Sequence, residues 1–241
     1  MSDFEHVPVL LKQTIEGLEI KEDGIYLDGT VGGAGHSYAI ASALSDNGKL
    51  ICLDKDPDAL ETARELMQTD YYHISLSTDV TGIESAVAIK NAYALAVALT
   101  VGLNQKEFGE NSPLHYNSQA AVFYQAVREM SALLKLQGAY STENLSIGVG
   151  DLYVTVYGGR TRLIGILLGR RLSISEAKAQ LNGITLESLV VAERVGRAIK
   201  LRARMGEIKE NDYLLLMHVY DILTNNASVK IPWERFTFEN I

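Results

Sequence analysis

The pattern of apolar and polar positions changes its period once along this chain. The stretch "GIYLDGT" (24–30) alternates and carries Ile and Tyr, which predicts a strand. "LICLD" (50–54) is an apolar run of strand length. Between them "HSYAIASALSDNGK" (36–49) predicts a helix stopped near Gly48. "DPDALETAREL" (56–66) predicts another, with acids in its first turn that suit the helix dipole. "VPVLLKQTIEGLE" (7–19) predicts a short leading helix with Pro8 near its start. The order strand, helix, strand, helix opens a parallel α/β sheet, and "YYHISLSTD" (71–79) offers one more strand. From there the strand signal fades. Helical periodicity predicts helices over 82–104, 117–137, 160–169, 173–180, 186–205 and 211–224. The expected division is 1–80 and 81–241, the second part all-α. The ending "ASVKIPWERFTFENI", with Pro232, is a docked tail or a mobile end.

Composition narrows the class. A chain of 241 residues with 47% hydrophobic and 22% charged side chains can bury a sizeable core, which excludes a disordered or fibrous protein. The only cysteine, Cys52, lies in a strand-like apolar run, so no disulfide framework exists and a reducing, cytoplasmic setting is expected. The start "MSDFEHVPVLL" lacks the pattern of a signal peptide. The uncharged run "NAYALAVALTVGLNQ" (91–105) is too short to span a bilayer and reads as a buried helix, either inside the domain or at a dimer interface. Residues 1–70 hold 14 acidic and 5 basic side chains, the remainder 16 and 17. That acidic first segment argues against a nucleic-acid partner gripped through its phosphates. His6, His73, His115 and His218 show no metal-ligand spacing. Tyr71, Tyr72 and Trp233 read as packing residues.

The candidate chemistry begins with "YLDGTVGGAGHS" (26–37). Asp28 ends the first strand, Gly29, Gly32, Gly33 and Gly35 follow, and Asp54 ends the second strand. No frame of a dinucleotide turn, G-x-G-x-x-G, fits these glycines. Glycines let a backbone approach a ligand closely, and the following helix start presents free N–H groups. Asp54 stands where a carboxylate accepts hydrogen bonds from ribose hydroxyls. The alternative is a tight strand–helix turn with no ligand. The segment is thus a partial Rossmann-like sheet. "VPVLLKQTIEGLEIKEDGIYLDGTVGGAGHS" followed by "GKLICLDKDPDAL" resembles the start of the bacterial 16S rRNA cytosine-N4 methyltransferases that use S-adenosylmethionine. The likeness covers about residues 5–67, with its D-G-T-x-G-G-A-G-H-S and L-D-x-D-P motifs. It implies that Asp28, Gly32, Gly33, Gly35 and His36 lie around the cofactor's methionine part and Asp54 on its ribose. That family's further D-L-G-V-S-S segment is not found here.

The helical remainder carries two other signals. Lys90 sits inside "GIESAVAIKNAYALAVAL" (82–99), and a lysine in an apolar helix is costly unless it is paired or reaches solvent. It is either a snorkelling surface lysine or a catalytic lysine made more acidic by burial. In "IGVGDLYVTVYGGRTRLIG" (147–165), Asp151 follows what reads as a glycine-rich turn, Thr155 lies four residues on, and Arg160 and Arg162 open a helix behind Gly158 and Gly159. Helix-opening N–H groups with an arginine fork suit a phosphate; the alternative is a solvated basic loop. Together the two signals resemble NAD-dependent glycerol-3-phosphate dehydrogenases, over about residues 71–225. "STDVTGIESAVAIKNAYALAVAL", "NSQAAVFYQAVREM", "GVGDLYVTVYGGRTR" and "LESLVVAERVGRAI" carry the likeness. It implies that Lys90 is the general acid/base, oriented by Asp151, with Asn91 helping to hold the substrate. It further implies that Thr155, Arg160 and Thr161 meet the substrate phosphate and that Glu187 lies near the nicotinamide end of NAD. Thr161 stands where that family usually has asparagine, and Gln119 where it tends to have lysine.

The chain therefore looks like two families joined near residues 67–71. Three readings stay open. One is an NAD-linked protein acting on a small phosphorylated polyol, with a homodimer through the helical domain. The second is an S-adenosylmethionine-dependent methyltransferase-like protein. The third is a catalytically inert chimera that binds neither cofactor.

Overall fold

The computed structural model describes residues 8–70, 74–181 and 186–236. It forms two compact units, divided between Thr78 and Asp79.

The first unit holds a two-stranded parallel sheet. Strands β1 (Ile25–Asp28) and β2 (Lys49–Cys52) pair in the register Ile25 to Lys49 through Asp28 to Cys52. Helices α1 (Leu11–Leu18), α2 (Gly35–Ser42) and α3 (Pro57–Met67) complete it. Helix α3 starts where Pro57 takes the first helical position and the Asp56 carboxylate accepts the Asp58 N–H at 3.0 Å. The leading helix is shorter than the 7–19 span expected. Of the extra strand expected at 71–79, residues 71–73, with Tyr71, Tyr72 and His73, lie outside the described residues, as does His6; the rest, 74–79, joins no ladder. The core of this unit is small, with Val31, Ala34 and Ala63 packed against a half-buried Cys52. Ile25 and Leu27, two apart on β1, are both exposed.

The second unit is all-helical: α4 (Val80–Phe108), α5 (Tyr116–Leu136), α6 (Glu143–Tyr157), α7 (Gly159–Gly169), α8 (Ile174–Gln180), α9 (Glu187–Arg204) and α10 (Leu214–Asn225). Helix α4 is buried on all sides from Ala92 to Gly102, as a helix apolar all round must be. It is long and apolar enough to cross a bilayer by composition alone, yet 78% of its most apolar window is buried inside the unit. It packs against α5, α6, α7, α9 and α10. Small residues set how closely. A Cβ on Gly165 of α7 would stand 2.5 Å from the Ala98 Cβ and 2.8 Å from the Leu95 carbonyl oxygen, and one on Gly102 would collide with the Ile166 carbonyl.

Two buried carboxylates fix the helix ends. Asp79 accepts the Gly82 N–H at 3.0 Å, capping α4. Its other oxygen accepts Tyr140 N–H at 2.8 Å, Ser141 N–H at 2.9 Å and the Asn144 amide at 2.7 Å, tying α4 to the start of α6. These donors, Ser141 foremost, hold Asp79 below the ordinary carboxylate range. Glu129 of α5 accepts the Leu215 and Leu216 N–H groups at 2.8 and 3.0 Å, together with Gln125 and the Tyr93 hydroxyl. The first N–H groups of a helix have no partner within it, and here a side chain from another helix takes them. The helix expected at 211–224 accordingly begins as a 3-10 turn, Glu210–Tyr213, before α10. The tail docks on the core through Val229, Ile231 and Phe236, while Trp233 stays partly exposed against Phe236.

Candidate functional site

The largest departure from the sequence pattern falls on the candidate site. The segment around Asp151, expected as a glycine-rich turn, is the body of helix α6. Glycine lowers helix propensity, but tertiary packing overrides it here. Gly148 lies against α4, where an added Cβ would stand 2.9 Å from the Ala86 Cβ and 3.1 Å from the Met130 Cε. The glycine thus serves close approach of two helices rather than a turn. The reversal comes later, where α6 ends at Tyr157 and α7 starts at Gly159 with φ +77°. Arg162 donates to the Val156 carbonyl at 2.7 Å and satisfies one of the last carbonyls of α6.

A helical α6 puts Asp151 and Thr155 one turn apart on the same face. That face meets Lys90 of α4. The Lys90 Nζ lies 2.6 Å from Asp151 Oδ2 and donates to Thr155 Oγ1 at 3.0 Å. The Thr155 hydroxyl in turn donates to the Asp151 carbonyl at 2.7 Å, so its one proton is directed into its own helix. Lys90 is 6% exposed and so does not snorkel. Its ammonium is buried, paired and aimed by two groups from a neighbouring helix.

The other residues of this set fall into two classes. Asn91, next along α4, and Thr161, in the first turn of α7, are half-buried, and their side chains hydrogen-bond to no described residue. Arg160, beside Thr161, is exposed and pairs with no described residue. These three polar ends are available to a ligand in a way that Thr155 is not. Glu187, exposed at the start of α9, joins none of the contacts around Lys90. Gln119 is buried in α5.

In the glycine-rich turn of the first unit the polar groups are differently disposed. Asp28 accepts the Ser37 hydroxyl at 2.6 Å and the Thr30 N–H at 3.1 Å. Asp54 accepts the Asp56 N–H at 2.9 Å and the Gly32 N–H at 2.8 Å, and these donors, Asp56 foremost, hold its carboxyl below the usual range. His36 Nε2 bonds the Val9 carbonyl at 3.1 Å. Gly32 sits at φ +49°, and Gly35 lies so close to the Pro8 ring that any side chain there would collide. Space remains open beside Gly29. The Cys52 thiol donates to Ser37 Oγ at 3.4 Å, and burial pushes its pKa up, so it is no ready nucleophile. Away from both clusters, His115 packs against the Phe108 ring and His218 accepts the Lys230 N–H at 3.2 Å.

Comparison with known proteins finds two families, whose matches overlap over residues 79–100. The NAD-dependent glycerol-3-phosphate dehydrogenase C-terminus family matches residues 79–234, and the MraW methylase family matches residues 3–100. Ribosomal RNA small subunit methyltransferase H 2 of Agathobacter rectalis is 59% identical over 63 residues, covering 26% of this chain and 20% of that protein. Ribosomal RNA small subunit methyltransferase H of Lachnospira eligens is 54% identical over 66 residues, 27% of this chain and 21% of that protein. The chain thus spans about a fifth of the length of these curated relatives. The structure of DsGPDH of Dunaliella salina superposes with a TM-score of 0.58 at 18% identity, covering 94% of this chain and 47% of that one, a likeness of fold. The arrangement is that of a fusion: a methylase-like beginning and a dehydrogenase-like helical part. With well over half of its residues inside the first match, the chain belongs to the NAD-dependent glycerol-3-phosphate dehydrogenase C-terminus family.

Proposed function

We propose that the helical unit binds a small phosphorylated polyol or its ketone, glycerol 3-phosphate or dihydroxyacetone phosphate, with Lys90 handling the proton at the reacting oxygen. The observation that carries this reading is the Lys90–Asp151–Thr155 constellation. A buried ammonium aimed by two acceptors can give a proton to a carbonyl oxygen or stabilise the alkoxide of a carbinol. Asn91 would hold the substrate beside it. Arg160 and Thr161, at the opening of α7, would take the phosphate through charge-assisted and neutral hydrogen bonds, helped by the helix N-terminus. Asp151 and Thr155 position Lys90.

The family's oxidoreduction needs a hydride carrier, NAD, which would supply that chemistry when bound. The described residues do not fit it. The glycine-rich turn lacks dinucleotide spacing, and its Asp28 and Asp54 carboxylates are bonded within the turn. We therefore confine the assignment to substrate binding and proton handling. Calorimetric titration of the full chain tests it. Saturable binding of glycerol 3-phosphate but not glycerol is expected, weakened about tenfold or more by Arg160→Gln, since a hydrogen bond to a charged group is stronger than a neutral one. No saturable binding at millimolar ligand would reduce the Lys90 cluster to a structural ion pair.

A second reading rests on the intact D-G-T-x-G-G-A-G-H-S turn, which stands between β1 and α2 as a strand–helix turn should. Here S-adenosylmethionine would bind the first unit, with Gly29, Gly32 and Gly33 lining the approach. Asp28 and Asp54 each accept two donors within the turn, one per oxygen, and keep acceptor capacity for a ligand. Titration with S-adenosylmethionine is the parallel arm. Binding there, with none of glycerol 3-phosphate, replaces the first reading with the second.

A further inference from the structure

We infer that the outer face of α9 docks the helical unit on an anionic lipid surface. The inner face of this helix is committed to the core through Leu189, Ala192, Gly196 and Ile199. The outer face carries Val190, Arg194, Arg197, Leu201, Arg204 and Met205, all exposed. Their spacing of three and four residues aligns them in one stripe, about 22 Å long at the rise of an α-helix. Leu201 and Met205, one turn apart, are 59% and 64% exposed, so two large apolar side chains stand side by side within the stripe.

Charge identifies the occupant. From Glu187 to Arg204 the helix holds five basic and two acidic side chains, in a chain whose net charge is −8. Lys200 pairs with Asp221, Arg202 with Glu207 and Arg197 with Glu193. Arg194 and Arg204 pair with no described residue and flank Leu201. Two copies of this stripe placed face to face would bring arginine against arginine, which disfavours self-association. Single-stranded RNA favours aromatic side chains for base stacking, and the stripe has none. Arginines beside protruding aliphatics match a bilayer interface, where guanidinium groups meet phosphates and Leu201 and Met205 enter the acyl boundary. This surface is separate from the Lys90 cluster and stands whether or not a phosphorylated substrate binds there.

Co-sedimentation of the full chain with vesicles tests it, comparing pure phosphatidylcholine with phosphatidylcholine containing phosphatidylserine, at low and high salt. Binding is expected on the anionic vesicles only, decreasing with salt. It should fall about tenfold in Leu201→Asp/Met205→Asp and likewise in Arg194→Gln/Arg204→Gln, because apolar insertion and basic residues contribute separately. The arginine pair, being exposed, keeps the test decisive if the aspartate pair unfolds, as circular dichroism would show. The inference is overturned if the wild-type chain ignores anionic vesicles, if it binds as well after either pair of substitutions, or if the stripe captures single-stranded RNA and no vesicle.

Discussion

At the scale of single residues, buried charges decide most of what this protein can do. Lys90 and Asp151 form a buried ion pair across two helices, so removing Asp151 takes the countercharge from a buried ammonium that still donates to Thr155. We expect Asp151→Ala to cost about 3 kcal/mol of stability, the lower end of the penalty for breaking a buried ion pair. Joint replacement, Lys90→Met with Asp151→Leu, should recover much of it while abolishing any binding that depends on Lys90. Urea unfolding of the wild-type chain and these two variants checks this. Glu129 makes a second residue-scale prediction. Burial pushes it up to about 7 from an ordinary 4.5, against four donors that favour its anion. Because its folded pKa lies above the unfolded value, the folded state binds the extra proton between those limits. Its contribution to stability is full below about pH 4.5 and is lost as pH rises to about 7. The pH dependence of unfolding across that range should flatten in Glu129→Gln. Identical slopes in both proteins would show that the carboxylate stays ionised throughout.

At the scale of elements, glycines inside helices do what side-chain patterns conceal. Gly148 and Gly165 allow α6 and α7 to lie close against α4, and that closeness brings Asp151 to Lys90. Gly165→Val should cost about 3 kcal/mol, at the upper end of overpacking penalties, because one of the atoms it meets is a backbone carbonyl that cannot rotate away. Gly150, with open space around it, should accept alanine with a small gain, since alanine is the better helix former. Thermal melts of the two variants check the contrast. The elements themselves were largely legible. A long uncharged apolar run marks α4 in the sequence, apolar periodicity marks α5 and α9, and Asp56–Pro57 marks the start of α3. Helix α6 was not legible, because Gly148, Gly150, Gly158 and Gly159 look alike in a sequence. Two of them sit within the helix and two form the reversal after it.

At the scale of the whole molecule, the two units differ in how much apolar surface they bury. The helical unit has a contiguous core centred on α4. Among the described residues the first unit has a two-stranded sheet, four buried apolar side chains (Val31, Ala34, Ile40 and Ala63), and Ile25 and Leu27 exposed. Two strands with little cover are marginal in isolation. We expect a fragment of residues 79–241 to unfold cooperatively and a fragment of residues 1–78 to show no cooperative transition. Calorimetry of the two fragments would test this, and a sharp transition in the shorter one would refute it.

The sequence alone determined the change from an α/β beginning to a helical remainder, because a period of two and a period near 3.6 are written in the order of residues. It also determined the two family resemblances, through local motifs such as D-G-T-x-G-G-A-G-H-S. It singled out Lys90, since a lysine in an apolar helix must be paired or exposed. Only the tertiary structure decided between those outcomes. Burial and partnership are properties of neighbours far apart in the chain. Lys90 proved buried because α6 supplies Asp151 and Thr155 from more than sixty residues away. Asp28 and Asp54 proved bonded to their own turn, because the fold of that turn directs the Ser37 hydroxyl and the Gly32 amide at them.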